Sequence, residues 1–158
     1  MKPMMSDKEI EIIEGLLKPE FDCFEYGAGF STLYFSKLVK SWESHEHDIK
    51  WFDIVKTSIK DNTIVHLIPK EQKQNYVKLK REYDFILVDG LYRKECLHEA
   101  IKHLKPNGKV IVHDACRLEY KDWINDFPNL ILIEGEILDP NDKNYYLHRG
   151  IRIYDSIY

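Results

Sequence analysis

The sequence predicts an α/β fold: one doubly wound, mostly parallel sheet of seven strands with an antiparallel hairpin at its C-terminal end. Three observations carry that prediction. Segments of helical period alternate with short strand-like segments along most of the chain, as in successive βαβ units. Phe85-Ile86-Leu87-Val88 and Val110-Ile111-Val112 are unbroken apolar runs, the pattern of strands buried on both faces. The last two strand segments lie close enough in sequence to pair as a hairpin.

Ser6-Asp7-Lys8-Glu9 has the S-x-x-E form of a capping box, in which each side chain satisfies the other's backbone donor. Ile10, Ile12, Ile13, Leu16 and Leu17 follow at helical spacing until Pro19. Residues 21–26 read as the first strand, which ends at Gly27-Ala28-Gly29. A helix over 31–40 carries Leu33, Phe35, Leu38 and Val39 on its apolar positions. Residues 41–46 form the second strand, 49–59 the next helix, and 63–68 a β-branched strand stopped by Pro69. Residues 71–82 predict a charged helix. The strand over 85–88 ends at Asp89-Gly90. Leu97, Ala100, Ile101 and Leu104 mark one face of the following helix, which Lys105-Pro106-Asn107-Gly108 stops. The strand over 110–112 ends at His113-Asp114. A short helix over 119–127 and strands over 130–137 and 146–154 complete the chain, with the hairpin turn at 139–143.

A chain of 158 residues suits one domain rather than two full-sized ones. Seven glycines and six prolines are too few for a collagenous or low-complexity chain, and three Trp, ten Tyr and seven Phe exclude disorder. A net charge of −4 gives no general attraction to nucleic acid or anionic membrane. Lys70, Lys73, Lys78, Lys80 and Arg81 are interleaved with or flanked by Glu71 and Glu82, and they read as a solvated helix face. Cys23, Cys96 and Cys116 are widely spaced with no C-x-x-C pair, which excludes a disulfide scaffold or structural zinc and points to a reducing compartment. No apolar stretch suits a signal peptide or a membrane span. The expectation is a cytoplasmic protein with no membrane or nucleic-acid partner.

In a doubly wound sheet, ligands bind beyond the carboxyl ends of the strands, where the strand order reverses. Here the first strand runs into Glu25-Tyr26-Gly27-Ala28-Gly29-Phe30-Ser31-Thr32. Gly27 suits the positive φ of a tight turn and Gly29 a close approach of backbone to ligand. Ser31 is placed to cap the next helix. Glu25 suits a cationic ligand rather than a pyrophosphate, and Thr32 stands in place of the third glycine of G-x-G-x-x-G. Both speak against a nicotinamide cofactor. Glu46 lies 19 residues after Gly27, at the end of the second strand. That is the spacing at which an acid binds ribose hydroxyls. Ammonium, carboxylate and ribose together describe part of S-adenosylmethionine.

The segment Glu25-Tyr26-Gly27-x-Gly29-x-Ser31-Thr32 resembles the first motif of class I S-adenosylmethionine-dependent methyltransferases, which have a Rossmann-like fold. Ser44-His45-Glu46-His47-Asp48 with Trp51 resembles the acidic second motif of a small subgroup with an E-x-G-x-G-x-S-T turn. Residues 83–90 resemble its fourth motif, and residues 104–114 its L-K-P-x-G segment ending in His-Asp. The resemblance implies a single domain over 1–158: an N-terminal helix (1–19), a cofactor-binding half (20–114) and a C-terminal helix and hairpin (115–158). It implies S-adenosylmethionine as cofactor, with Gly27 and Gly29 against its methionine and ribose and Tyr26 within the same turn. Glu25 would face the ammonium, Ser31 and Thr32 the carboxylate end, and Glu46 the ribose hydroxyls. His47 would flank the adenosine, and the backbone at 67–68 would take the adenine.

Methyl transfer from a sulfonium is an in-line displacement in which positioning supplies much of the rate. A hydroxyl acceptor also needs its proton removed or its oxygen polarised. Asp89 and Asp114 end strands that are neighbours in the family's sheet order, about 4.8 Å apart, so Asp89 borders both cofactor and acceptor. His113 is the other candidate base, since imidazole titrates near neutrality. Asp89, His113 and Asp114 are thus the catalytic candidates. Related O-methyltransferases hold magnesium with two such Asp residues and a following Asn. Ala115 stands at that third place, and no metal is assigned. Asp89-Gly90-Leu91-Tyr92 lacks the prolines of enzymes that methylate base or amide nitrogens, which favours oxygen over nitrogen.

The expected activity is methylation of a small-molecule acceptor. The alternative is a non-catalytic S-adenosylmethionine-binding module or partner subunit. Seven strands and their helices use nearly all of the residues, so the expectation is an open cleft for a small acceptor, or a pocket completed by another copy or a partner chain. Tyr26, Tyr92, Tyr120 and Trp123 are candidates for its aromatic rim.

Overall fold

The computed structural model describes residues 1–124, 126, 127, 129–134 and 150–155, without the side chains of Leu118 and Glu134. Its strands are β1 (Asp22–Tyr26), β2 (Ser41–Glu46), β3 (Thr63–Leu67), β4 (Tyr83–Val88), β5 (Leu104–His113), β6 (Ile131–Glu134) and β7 (Ile151–Asp155). The helices are α1 (Asp7–Leu16), α2 (Phe30–Phe35), α3 (Ile49–Lys56), α4 (Lys73–Val77), α5 (Arg93–Lys102) and α6 (Lys121–Ile124). All seven strands form one sheet in the order β3-β2-β1-β4-β5-β7-β6. β7 is antiparallel to both β5 and β6, and the other pairs are parallel. Strand order reverses between β1 and β4, so the two turns that follow these strands meet at one end of the sheet.

Strand alternation sends successive side chains to opposite faces, and both faces are covered. Phe85 and Leu87 pack with Ile10 and Ile13 of α1, Phe35 of α2, and Trp42. Ile86 and Val88 pack on the other face with Tyr76 of α4 and Cys96, Leu97 and Ala100 of α5. Glu25 shares the face of Cys23 and Trp42, so its carboxyl is carried into the protein interior. The capping box of α1 is complete, with Ser6 N–H donating to Glu9 Oε2 at 2.7 Å and Glu9 N–H to Ser6 Oγ at 3.2 Å.

Three of the differences from the sequence expectation trace to long-range contacts. The helix expected over 71–82 is only Lys73–Val77. Its chain turns extended at Lys78, which places Leu79 in the core and lets the Leu79 N–H donate to Glu99 Oε1 at 3.2 Å. The helix expected over 31–40 ends at Phe35 and tightens to a 3₁₀ turn over Ser36–Leu38. Asn62 Nδ2 donates there to the carbonyls of Ser36 and Val39, at 2.7 and 3.1 Å, capping the helix end from another loop. The strand expected over 110–112 begins at Leu104 and takes in the Pro-Asn-Gly segment, where the pairing with β4 shifts register. Asn107 supplies the positive φ of 64° that the bulge requires.

The helix expected over 119–127 is a 3₁₀ turn, Leu118–Tyr120, followed by α6. Residues 135–149, with the expected hairpin turn, lie outside the described residues. All three cysteines are free and buried. Among the described residues no helix is long and apolar enough to cross a membrane.

Candidate functional site

The turns after β1 and β4 pack backbone against backbone. Gly27 has φ 92°, and its N–H donates to His45 O at 2.8 Å. Asp89 N–H donates to Tyr26 O at 3.0 Å, continuing the ladder past the strand ends. A Cβ on Gly27 would lie 2.7 Å from Gly90 Cα, and one on Gly90 would run into the Tyr76 hydroxyl. Gly29 is different. Its backbone is extended, and a Cβ there would meet nothing nearer than Ser31 Oγ at 3.9 Å. That open side gives onto a cleft of about 650 Å³.

Glu25 stands behind this turn rather than in the cleft. Its carboxylate accepts from the Ser31 and Thr32 hydroxyls and from Trp42 Nε1 at 3.0 Å. Thr32 Oγ1 in turn accepts from Gly29 N–H at 3.0 Å. The glycine turn is thus tied through Thr32 to a fully buried acid. Thr32, not Ser31, reaches back to the amide of Gly29, the residue that precedes α2, while both hydroxyls donate to Glu25. Tyr26 is withdrawn from the cleft: its ring is buried and its hydroxyl donates to Val77 O at 2.6 Å. Burial pushes the Glu25 carboxyl from 4.5 to about 7, against the opposing hydrogen bonds of Ser31, Thr32 and Trp42. A raised carboxyl gives a stability contribution that is full below about 4.5 and lost as pH rises through about 7. Glu25→Gln is therefore expected to flatten the loss of stability across that window. Thermal unfolding as a function of pH measures it, and an unchanged slope refutes the assignment.

Glu46 lies on the opposite wall of the glycine turn. It is buried but lines the cleft, with His47 and Trp51 beside it. Its Oε1 accepts from the backbone amides of His47 and Asp48, each at 2.7 Å. Burial raises its carboxyl despite these amides. Two amides fix the carboxylate at the end of β2, so its position owes nothing to a ligand.

Asp89 closes the cleft at the end of β4 and belongs to a network of six charged side chains. His113 Nδ1 lies 2.8 Å from Asp89 Oδ1, and His113 Nε2 lies 3.8 Å from both Glu9 Oε2 and Asp114 Oδ1. Arg93 donates from Nη2 to Asp89 Oδ1 at 3.1 Å and lies 3.6 Å from Asp114 Oδ2, which also receives Arg117. Further Arg93 bonds go to the carbonyls of Asp89, Gly90 and His113. Burial alone would lower the His113 imidazole, but Asp89, with Glu9 and Asp114, outweighs it and pushes the ring up to about 10. Burial likewise opposes ionisation of Asp89, and the imidazolium with Arg93 outweighs it and holds this carboxyl low. Asp89 alone of the three expected catalytic residues lines the cleft. His113 is 2% exposed, and its three carboxylate neighbours favour the protonated ring, which suits an ion-pair partner better than a proton acceptor. Ligand atoms of Asp89, His113 and Asp114 fall within 4.8 Å of one another, but the Arg93 guanidinium bridges the two carboxylates.

Of the expected residues, Gly27, Gly29, Ser31, Glu46, His47 and Asp89 converge on one cleft. Tyr92, Tyr120 and Trp123 line it too. Gly90, Arg93 and Glu9 were not legible as site residues. The i, i+4 spacing of Asp89 and Arg93 was the available signal for one of them, while the capping box fully accounted for Glu9.

The sheet order and antiparallel seventh strand give a Rossmann-like α/β fold of the kind found in class I methyltransferases of known structure. No protein-family model and no curated protein matches the sequence. Among solved structures, the chain is similar to a methyltransferase-like protein from Silicibacter pomeroyi, with TM-score 0.68 and 17% identity over 98% of this chain and 87% of that one. Precorrin 8W decarboxylase from Methanobacterium thermoautotrophicum gives TM-score 0.66 and 18% identity over 99% and 93%. N-methyltransferase NodS from Bradyrhizobium japonicum, solved with S-adenosyl-L-homocysteine, gives TM-score 0.66 and 12% identity over 96% and 88%.

Proposed function

We propose that this chain is an S-adenosylmethionine-dependent methyltransferase acting on a small molecule. The observation that carries the reading is the convergence of an open glycine turn, the pre-positioned Glu46 carboxylate and a second strand-end acid, Asp89, on one cleft. Gly27 and Gly29 bring bare backbone to the methionine and ribose, and Ser31 lies at the same turn. Glu46 accepts from the ribose hydroxyls, with His47 beside the adenosine. Glu25 and Thr32 act from behind, holding the turn in shape. When bound, S-adenosylmethionine supplies an electrophilic methyl group on a sulfonium.

Calorimetric titration with S-adenosylmethionine and S-adenosylhomocysteine tests the reading, and binding of neither ends it. Glu46→Ala is expected to weaken both by about 1.5–3 kcal/mol, the worth of a hydrogen bond to a charged group. Unchanged affinity removes Glu46 from the ribose role. The sequence favours an oxygen acceptor, with Asp89 as the group next to it. A second reading, a binding module without turnover, is favoured by the ion pairing of Asp89, His113 and Asp114. Transfer to any acceptor excludes it.

A further inference from the structure

The pairing around His113 restricts what the cleft can accept. Three carboxylates, those of Asp89, Glu9 and Asp114, face the two ring nitrogens, so both nitrogens carry hydrogen. Arg93 and Arg117 complete a network of three positive and three negative groups. Within it only Asp89 presents a carboxylate to the acceptor side. Its hydrogen bonds to Arg93 and His113 fall on Oδ1, and its side chain remains 23% exposed. This carboxylate is a hydrogen-bond acceptor held in place by two cations, and a poor base.

Tyr92, Tyr120 and Trp123 give the cleft an aromatic surface among the charged side chains of Lys94, Glu95, Arg117 and Glu119. Tyr120 and Trp123 have ring centroids 5.2 Å apart, and the Arg93 guanidinium lies 5.5 Å from the Tyr120 ring, supporting it from within the network. Met4, Met5 and Leu91 line the same space. Flat aromatic and thioether surfaces suit a planar ring.

We propose that the acceptor is a planar aromatic amine, methylated on nitrogen, with its N–H donating to Asp89. The proposal rests on the methyl-transfer reading above and replaces its oxygen acceptor with nitrogen, because the Asp89 carboxylate is paired with two cations and makes a poor base. A hydroxyl acceptor must lose its proton to some group, and a phenolate oxygen would be set against the Asp89 carboxylate. An arylamine has a free lone pair near neutral pH and needs no base. The lone pair forms the nitrogen–methyl bond while the sulfur–methyl bond breaks, its electron pair staying on sulfur. The nitrogen becomes an ammonium beside Asp89, where a fixed negative charge stabilises the charge that develops. The product releases its proton to water after leaving. Asp89 is then the catalytic residue that orients the nucleophile.

Two measurements test this on the full chain. First, protein saturated with S-adenosylhomocysteine is titrated with aniline, following heat and tryptophan fluorescence. Aniline is expected to bind the loaded wild-type protein, and Asp89→Asn, brought to saturation at whatever S-adenosylhomocysteine concentration it needs, to bind aniline at least tenfold more weakly. Second, transfer from S-adenosylmethionine is followed across pH for ring-substituted anilines of graded basicity. The acid limb of kcat/KM is expected to move with the pKa of each aniline. One common inflexion for all anilines, preferential methylation of phenol, or failure of aniline to bind the loaded protein overturns the proposal. If Asp89→Asn does not fold, the wild-type binding of aniline and the moving acid limb still decide. Failure to bind S-adenosylhomocysteine at all is a different result, which removes the methyl-transfer reading and this proposal with it.

Discussion

Gly27→Ala is expected to destabilise the protein by about 2–5 kcal/mol and to abolish S-adenosylhomocysteine binding. Roughly 1–2 kcal/mol comes from forcing a side chain onto a positive-φ backbone, and about 1–3 kcal/mol from overpacking. The overpacking has no soft way out, because the new Cβ would meet the backbone of Gly90 at 2.7 Å and the carbonyl carbon of Asp89 at 3.1 Å. Relief requires parting the turns after β1 and β4, and the same movement misplaces Asp89. Gly29→Ala is the matched control. Its backbone is extended and its added methyl meets open space, so its stability should stay within about 0.5 kcal/mol of wild type. The methyl projects where ligand approaches, so affinity should still fall. Denaturant unfolding and calorimetry on the two variants separate shape from contact. Equal stability of the two would refute the packing argument.

His113→Gln is expected to cost about 3–5 kcal/mol, the penalty for removing one partner from a buried ionic cluster. It takes the central cation away from Asp89, Glu9 and Asp114 and leaves net negative charge in the interior. Its pH signature distinguishes it from a packing defect. The imidazole is raised on folding, so its contribution is full below about 6.5 and is lost as pH rises through about 10. Asp89 and Glu9 are lowered on folding, so their contributions are present above their ordinary values and lost as pH falls. Wild type should therefore lose stability on the alkaline side between these two values, and His113→Gln should lose much less there. Thermal unfolding from pH 6 to 10 reads the difference. Parallel curves would mean that the ring is neutral in the folded protein.

The order of elements and the topology class were legible because helix and strand periods, capping residues and glycine turns act among near neighbours. Ser6 and Glu9 specify the start of α1 without help from the rest of the chain. The glycine turn and Glu46 were legible for a related reason: a βαβ unit sets the distance between strand ends, so 19 residues translate into a place. Helix α4 is shorter than its sequence pattern because the pull of Leu79 into the core outweighs the helical preference of residues 78–82. The extra length of β5 has no local signal because Pro106 and Gly108 look like a stop, and only pairing with Tyr83 makes the segment a bulge.

Roles at the site divide along the same line. Which residue types surround the switch point follows from local sequence, since Gly27, Gly29, Glu46 and Asp89 each sit at the end of their own strand. Which of them faces the cleft, and in what charge state, follows from partners brought together by folding. Glu25 reads as a ligand-facing acid until Trp42, Ser31 and Thr32 close around it. His113 reads as a base until Asp89, Asp114 and Glu9 surround it. Proton affinity is set by the field of neighbouring charges and by access to water, and neither exists until helix α1 and strands β4 and β5 have packed.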